Sequence, residues 1–192
     1  MDKMFKVTFE LEEQDTAYFR DLYRQAKQNA SKLEPESIVK DAAKLVETVR
    51  QSPRIPRFVA EAIATLEDMT QIILDKEYKA PQVVKNQVLA GLAYFANSED
   101  LIPDHVPALG FLDDAIMVKL VEEEFKHELW GYRKFRGLGA PEEQRPWTKI
   151  GGDRLRERTD AHRKEIRAAI EKRKAAEESK RKGAGRRRLF GW

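Results

Sequence analysis

The spacing of apolar residues changes near the beginning of the chain from a period of two to a helical period. In residues 4–11, MFKVTFEL, apolar Phe5, Val7, Phe9 and Leu11 alternate with polar side chains. Strict alternation is typical of a half-buried β-strand, because successive strand side chains point to opposite faces. No second segment of comparable quality follows. An unpaired strand exposes its backbone hydrogen-bonding groups, so we expect this strand to pair with its copy in a homodimer or with a short hairpin partner.

From residue 14 onwards, apolar residues recur every three to four positions, which predicts amphipathic helices. We predict five of them, over residues 14–30, 36–50, 57–76, 81–96 and 112–135. Prolines separate several of these segments, since proline cannot continue a preceding helix. Short connections between helices indicate a compact bundle. The predicted fold class is therefore all-α, a compact bundle of about five helices with one short N-terminal β-strand and a basic C-terminal helical extension.

The C-terminal part of the chain has a different composition. Residues 136–152, RGLGAPEEQRPWTKIGG, are rich in glycine and proline and predict a linker. Asp153 is a candidate N-cap for a sixth helix over about 153–181. The strong apolar positions of that helix are few: Leu155, Ile166 and Ile170. Because this stripe is too thin to bury the helix, we expect the helix to project from the body or to fold on a partner.

The predicted domain boundaries follow from these segments. Residues 1–136 form the helical domain with its strand, residues 137–152 the linker, and residues 153–192 the basic helix and a tail. The chain ends KGAGRRRLFGW, which we expect to be disordered in isolation.

Charge is distributed unevenly along the chain. The whole sequence has 36 basic and 33 acidic residues, a net charge of +3. Residues 149–192 hold 16 of the basic and 7 of the acidic residues, a net +9, which leaves 20 against 26, a net −6, for residues 1–148. An acidic body with a basic tail indicates a negatively charged partner, such as nucleic acid or an anionic membrane surface. A solvated tail that keeps the protein soluble explains the same pattern.

Composition also excludes several classes of protein. The chain has no cysteine, which excludes disulfides, zinc–thiolate sites and thiol catalysis. The first residues lack the apolar region of a signal peptide. The longest apolar run, residues 88–96, is far shorter than the ~20 residues that span a bilayer. We therefore expect a soluble, cytoplasmic protein.

One segment carries a recognisable signature. YFANSEDLIPDHVPALGFLDD, residues 94–114, resembles the YkvA family, also called the domain of unknown function 1232. The matching pattern is an aromatic-ended helix, the sequence D-L-I-P-D, a proline, a glycine and paired aspartates: Tyr94, Asp100, Leu101, Ile102, Pro103, Asp104, Pro107, Gly110, Asp113 and Asp114. The resemblance covers about residues 88–124. It implies a small helical domain and no particular activity, and the basic tail lies outside it.

The carboxylates of this segment have two interpretations. Asp100 and Asp104 could cap a turn and bind backbone N–H groups, and Asp113 or Asp114 could meet the positive end of the fifth helix. Alternatively, two or three of these oxygens could gather a divalent cation, Mg²⁺ or Ca²⁺, in a metal-binding protein or a metal-dependent hydrolase. Their spacing does not match an EF-hand. We favour the structural interpretation, because loop carboxylates near a helix start usually cap.

A second chemical candidate lies on the fifth helix. Glu124 and His127 have the E-x-x-H spacing of carboxylate-bridged di-iron proteins. Those sites need a second such motif, and neither His105 nor His162 supplies one. We therefore expect His127 to be a surface or partly buried residue near its glutamate neighbours. No phosphate-binding loop, dinucleotide fingerprint or hydrolase motif occurs in the sequence, so we do not predict an enzyme.

The tail supplies the main functional hypothesis, a binding or adaptor protein that contacts RNA, DNA or a ribonucleoprotein. Its candidate contacts are cations for phosphates and two aromatic residues for bases: Arg154, Arg156, Arg158, Arg163, Lys164, Arg167, Lys172, Arg173, Lys174, Lys180, Arg181, Lys182, Arg186, Arg187, Arg188, Phe190 and Trp192. Interleaved glutamates weaken this interpretation, since they pair with the same cations along a helix. The alternative is a peripheral membrane protein, in which RRRLFGW meets anionic headgroups and the interfacial zone.

Overall fold

The structure, a computed structural model, describes residues 10–52, 55–96, 110–143 and 152–189. Within these ranges it contains six α-helices and no strand: α1 (Glu13–Asn29), α2 (Pro35–Gln51), α3 (Arg57–Leu74), α4 (Gln82–Leu92), α5 (Leu112–Glu143) and α6 (Gly152–Leu189). A short 3₁₀ segment, Ala93–Ala96, continues α4. The predicted all-α class is confirmed. The predicted N-terminal strand falls outside the described residues except for its last two, which are not in a strand.

Helix ends lie where local chemistry predicts them. Pro35 is the first residue of α2, where its fixed φ suits the helix and its missing N–H is not needed. At the start of α1, the backbone N–H of Glu12 donates to Asp15 Oδ2 at 2.9 Å. After α3, Asp75 Oδ1 accepts the backbone N–H groups of Glu77 at 2.7 Å and Tyr78 at 2.9 Å. This side-chain turn directs the chain from α3 towards α4.

The core is centred on α3 and α5, which pack against each other. Helices α2 and α4 also contact α3, and α1 covers α4 and the 3₁₀ segment. The apolar stripes predicted from the sequence form this core, with Leu66 and Met69 of α3 and Val118 and Val121 of α5 fully buried. The Phe125 ring of α5 packs against Gly91 of α4, where a Cβ atom would lie 2.7 Å from the ring.

Helix α5 is longer than predicted. The expected end was Phe135, but the helix continues to Glu143 through Gly137. Glycine lowers helix propensity by about 1 kcal/mol without forbidding the conformation. The first residues of the predicted linker are therefore helical, whereas residues 144–151 lie outside the described part of the chain.

Helix α6 packs against α5, and the expectation that it projects from the body is wrong for its central part. Ile166 and Ile170 are buried at 5% and 0% exposure. Ile170 lies against Gly131 of α5, so closely that a Cβ atom at Gly131 would come within 2.8 Å of its Cγ1 atom. A thin apolar stripe suffices because a glycine on the facing helix lets the two backbones approach. The predicted division into domain, linker and tail stays a prediction.

Candidate functional site

The basic helix α6 has two parts with different surroundings. Up to Glu177, one face of the helix contacts α5 and the loop that precedes α4. From Glu178 to Lys182, every residue is exposed. We call residues 178–189 the distal end of α6. The distal end contains six basic residues and one acidic residue, a net charge of +5: Lys180, Arg181, Lys182, Arg186, Arg187 and Arg188 against Glu178.

A buried carboxylate holds in place the part of α6 that ends at Glu177, which we call the packed part. The Glu128 side chain on α5 is 5% exposed, and its two oxygens accept hydrogen bonds from α6. Arg167 Nη1 donates to Glu128 Oε2 at 2.6 Å, and Lys174 Nζ donates to Glu128 Oε1 at 2.9 Å. Charged residues therefore complete a contact whose apolar stripe is thin.

The turn after α3 supplies a second contact for α6. Tyr78 is fully buried and packs edge-on against Tyr132 of α5, with ring centroids 5.0 Å apart. The guanidinium carbon of Arg167 lies 4.6 Å from the Tyr78 ring centroid, and Arg163 Nε donates to the carbonyl oxygen of Glu77 at 2.9 Å. Burial raises the pKa of the Tyr78 hydroxyl well above its usual range.

The packed part of α6 ends in an ion-pair cluster. Glu177 Oε1 accepts a hydrogen bond from Lys126 Nζ at 2.7 Å. Glu177 Oε2 lies 2.7 Å from His127 Nε2. The hydrogen bonds with Lys126 and His127 hold the pKa of Glu177 below its usual range. The same hydrogen bond to Glu177 raises the pKa of Lys126. Glu177 thus marks the point beyond which α6 leaves α5.

His127 is partly buried, as expected, at 17% side-chain exposure, but its partner comes from α6 and not from a neighbouring glutamate. Glu124 contacts α1 instead: Tyr23 donates its hydroxyl to Glu124 Oε2 at 2.9 Å, and Lys27 Nζ donates to Oε1 at 2.6 Å. The E-x-x-H pair is therefore divided between two helix–helix contacts. Burial and the Glu124 carboxylate raise the pKa of Tyr23 far above its usual range.

The predicted tail contacts do not all have the same surroundings. Arg163, Arg167 and Lys174 bind the body of the protein, as described above, and Lys164, Lys172 and Arg173 are exposed. Arg158 is exposed and takes part in a further interaction. The side chains of several others, and two whole residues, lie outside the described part: Arg154, Arg156, Arg186, Arg187, Arg188, Phe190 and Trp192. The described cations of the distal end are Lys180, Arg181 and Lys182.

The acidic segment is described only in part. Asp113 and Asp114 are both buried, at 4% exposure, in the first turn of α5, where carboxylates meet the positive end of the helix dipole. Asp100 and Asp104 lie outside the described residues. Among the residues that are described, no group of three or more acidic or histidine side chains is placed to hold a metal ion. The structural interpretation of Asp100 and Asp104 stays a prediction.

The sequence did not indicate a cleft that the structure forms between α5 and α6. It has a volume of about 610 Å³ and is open to solvent. Leu129 and Trp130 of α5 line it together with Arg173 of α6. The guanidinium carbon of Arg173 lies 4.4 Å from the Trp130 ring centroid. No sequence motif could have predicted this cleft, because it depends on the packing of α6 on α5.

Comparisons with known proteins give one match, to a segment of the chain. No curated protein and no solved structure matches the chain. Across the described residues, no helix is both long and apolar enough to cross a bilayer. The family model described as a protein of unknown function, DUF1232, matches residues 84–120, which include most of α4 and the first turns of α5. The resemblance of this segment to the YkvA family, the domain of unknown function 1232, is thereby confirmed.

Proposed function

We propose that this chain is a helical binding protein whose basic C-terminal helix engages nucleic acid, either free or within a ribonucleoprotein. The helical body positions α6, and the distal end of α6 contacts phosphates. No catalytic step is part of this proposal. The acidic segment serves to hold the start of α5 in the bundle.

One observation carries the proposal: the distal end is strongly basic, and its described residues, 178–182, do not pack on the body. Its five described residues 178–182 are all exposed, and the distal end carries a net charge of +5. Within the described side chains, only one ion pair involves it, between Lys182 Nζ and Glu178 Oε1 at 2.6 Å. Twelve helical residues extend about 18 Å at 1.5 Å per residue. A cationic helix of this length can contact several consecutive phosphates.

The cations that anchor α6 are not part of the proposed contact surface. Arg163, Arg167 and Lys174 are hydrogen-bonded to the body. Releasing Arg167 or Lys174 to bind phosphate would leave the Glu128 carboxylate buried without its partner, which is costly. Binding should therefore depend on the distal end and leave the packed part of α6 intact.

Charge variants of the distal end test the proposal. The triple variant Lys180→Gln, Arg181→Gln, Lys182→Gln removes three described cations. We expect weaker binding to RNA and DNA, and a plot of log affinity against log salt concentration that is shallower by about 2 to 3, because each phosphate contact contributes about 0.7 to 0.9 to the slope. Fluorescence anisotropy with labelled oligonucleotides at several salt concentrations measures both quantities.

A matched control changes the same number of charges elsewhere. Lys40 and Lys44 of α2 and Arg20 of α1 are exposed. Replacing these three residues with glutamine should leave the affinity and its salt dependence nearly unchanged. Equal effects of the two triple variants would show that only net charge matters and would refute a specific role for the distal end. Point variants are preferable to truncation at residue 148, which would expose the α5 surface that α6 covers.

The alternatives from the sequence give different results in the same experiment. A peripheral membrane protein would bind anionic vesicles and lose that binding when Leu189, Phe190 and Trp192 are replaced by serine. A metal-binding protein would gain thermal stability with Mg²⁺ or Ca²⁺ and lose that gain in Asp104→Asn. We expect neither result.

A further inference from the structure

The cleft between α5 and α6 contains an aromatic side chain surrounded by cations. Trp130 is half-buried and lines the cleft, and Leu129 lies next to it. Four cations and one carboxylate also line the cleft: Lys126, Arg133, Lys134, Arg173 and Glu122. The Glu122 carboxylate is paired with Lys119 at 2.8 Å. The guanidinium carbon of Arg173 lies 4.4 Å from the Trp130 ring centroid, within the range of a cation–π contact.

The cations around the cleft differ in how their charges are used. Lys126 and Arg133 are committed to carboxylates, Lys126 to Glu177 at 2.7 Å and Arg133 to Asp68 at 2.7 Å. Lys134 and Arg173, in contrast, form no ion pair with any side chain that the structure describes. Two positive charges are therefore available beside Trp130, and a ligand that uses them must be negatively charged.

We propose that this cleft binds one unpaired base of a single-stranded nucleic acid, together with its phosphate. The base stacks on the Trp130–Arg173 pair, since aromatic rings and guanidinium planes are both common stacking partners for bases. Lys134 and Arg173 contact the phosphate. A volume of about 610 Å³ is large enough for a ligand of this size. This inference rests on the proposed function and names the class of nucleic acid involved.

Arg173 of the cleft and the distal end both lie on α6, so one nucleic-acid strand can reach both. Arg173 and Lys180 are seven residues apart, which is about 10 Å along the helix. A strand with a base in the cleft can thus place its next phosphates near Lys180 and Arg181. A duplex would contact the distal end only, because its bases are stacked on one another. An acidic peptide would form ion pairs with the cations but would place no ring against Trp130.

The test compares three probes with the full-length protein at one salt concentration: a labelled single-stranded oligonucleotide of about twelve nucleotides, a duplex of the same length and a polyglutamate peptide. We expect the single strand to bind about tenfold more tightly than the duplex. Trp130→Leu should weaken single-strand binding by about tenfold, as expected for loss of one stacked base, and leave duplex binding unchanged.

Arg173→Gln provides a second variant at an exposed position, so it decides the question if Trp130→Leu does not fold. It should weaken single-strand binding by a similar factor, whereas Arg20→Gln on α1 should have little effect. Equal binding of single strand and duplex, unchanged by Trp130→Leu, would overturn the cleft inference and leave the proposed function in place. Polyglutamate binding that equals single-strand binding and depends on Trp130 would overturn it in favour of an acidic protein partner. Failure of every probe to bind would refute the proposed function as well.

Discussion

The contact between Gly131 and Ile170 gives a direct test of how α6 packs on α5. A Cβ atom at Gly131 would meet the Cδ1 and Cγ1 atoms of Ile170, with Ile166 Cγ2 at 3.3 Å. Gly131→Ala should gain about 0.5 to 1 kcal/mol from helix propensity. It should lose about 1 to 3 kcal/mol from overpacking, because the Ile170 side chain is fully buried and cannot move freely. We expect a net decrease of about 1 kcal/mol in the free energy of unfolding.

Once the Ile170 side chain is removed, Gly131→Ala should stabilise the protein instead of destabilising it. Ile170→Ala by itself should cost about 2 to 5 kcal/mol, since it leaves a cavity at a fully buried site. In the Ile170→Ala background, the alanine at position 131 no longer clashes and fills part of the cavity. There Gly131→Ala should stabilise the protein, and the coupling energy of the double-mutant cycle should be about 1 to 3 kcal/mol.

Urea unfolding measures these free energies. Far-UV circular dichroism and tryptophan fluorescence should be recorded together, because coincident transitions are needed for a two-state analysis. Gly137→Ala is the matched control on the same helix. Apart from its chain neighbours and the helix's own backbone, no described atom lies within 4 Å of its added Cβ, so it should be stabilising by about 0.5 to 1 kcal/mol. If the effects of Gly131→Ala and Ile170→Ala add to within about 0.5 kcal/mol, α6 does not pack on α5 as described.

Three further predictions concern other contacts of the bundle. Glu128→Gln should lower the free energy of unfolding by about 1 to 3 kcal/mol and speed hydrogen exchange of α6, because it leaves Arg167 and Lys174 without their buried carboxylate. Glu171→Gln, at an exposed position on α6, is the control, and an effect of Glu128→Gln no larger than that of the control would contradict this role. Burial raises the pKa of Tyr132 to about 12, so the folded state holds this proton more tightly than the unfolded state, whose tyrosine pKa is about 10. The free energy of unfolding should therefore fall as pH rises from about 10 to 12, and the fall should be smaller in Tyr132→Phe. Identical pH profiles of the free energy of unfolding in the two proteins would show that Tyr132 does not contribute. Gly91→Ala should lower the free energy of unfolding by about 1 kcal/mol, because its Cβ would lie 2.7 Å from the Phe125 ring and the loss of about 1 to 3 kcal/mol from overpacking exceeds the gain of about 0.5 to 1 kcal/mol in helix propensity. A melting temperature no lower than that of the unchanged protein would refute the packing of Phe125 on Gly91.

The positions of the basic residues in the structure reduce the number of cations that are candidates for contact with nucleic acid. From the sequence, all the cations of the tail were equivalent candidates for contact with nucleic acid. In the structure, Arg167 and Lys174 are partners of a buried glutamate, and Glu177 closes the packed part of the helix. What distinguishes a cation that holds the fold from one that can bind a ligand is its partner across the helix–helix contact. That partner lies about 39 to 51 residues away in the sequence.

Local patterns in the sequence determined the helices and much of the core. The period of three to four apolar residues and the positions of proline predicted the first four helices to within a few residues, because these signals act within one turn of the chain. The signature at residues 94–114 also identified the family segment that the comparison matched. These features depend on neighbouring residues, so they can be read without knowledge of the tertiary structure.

Tertiary packing alone decided where α6 lies and which of its described side chains stay exposed. Its three apolar positions were too few to predict burial, but Gly131 lets Ile170 approach α5, and Glu128 pairs with two cations of α6. The same packing places Arg173 over Trp130 and forms the cleft between the helices. Side chains from distant parts of the chain create these sites only once they meet. Their energy comes from close approach and from desolvated charge pairs, neither of which has a periodic signal in the sequence.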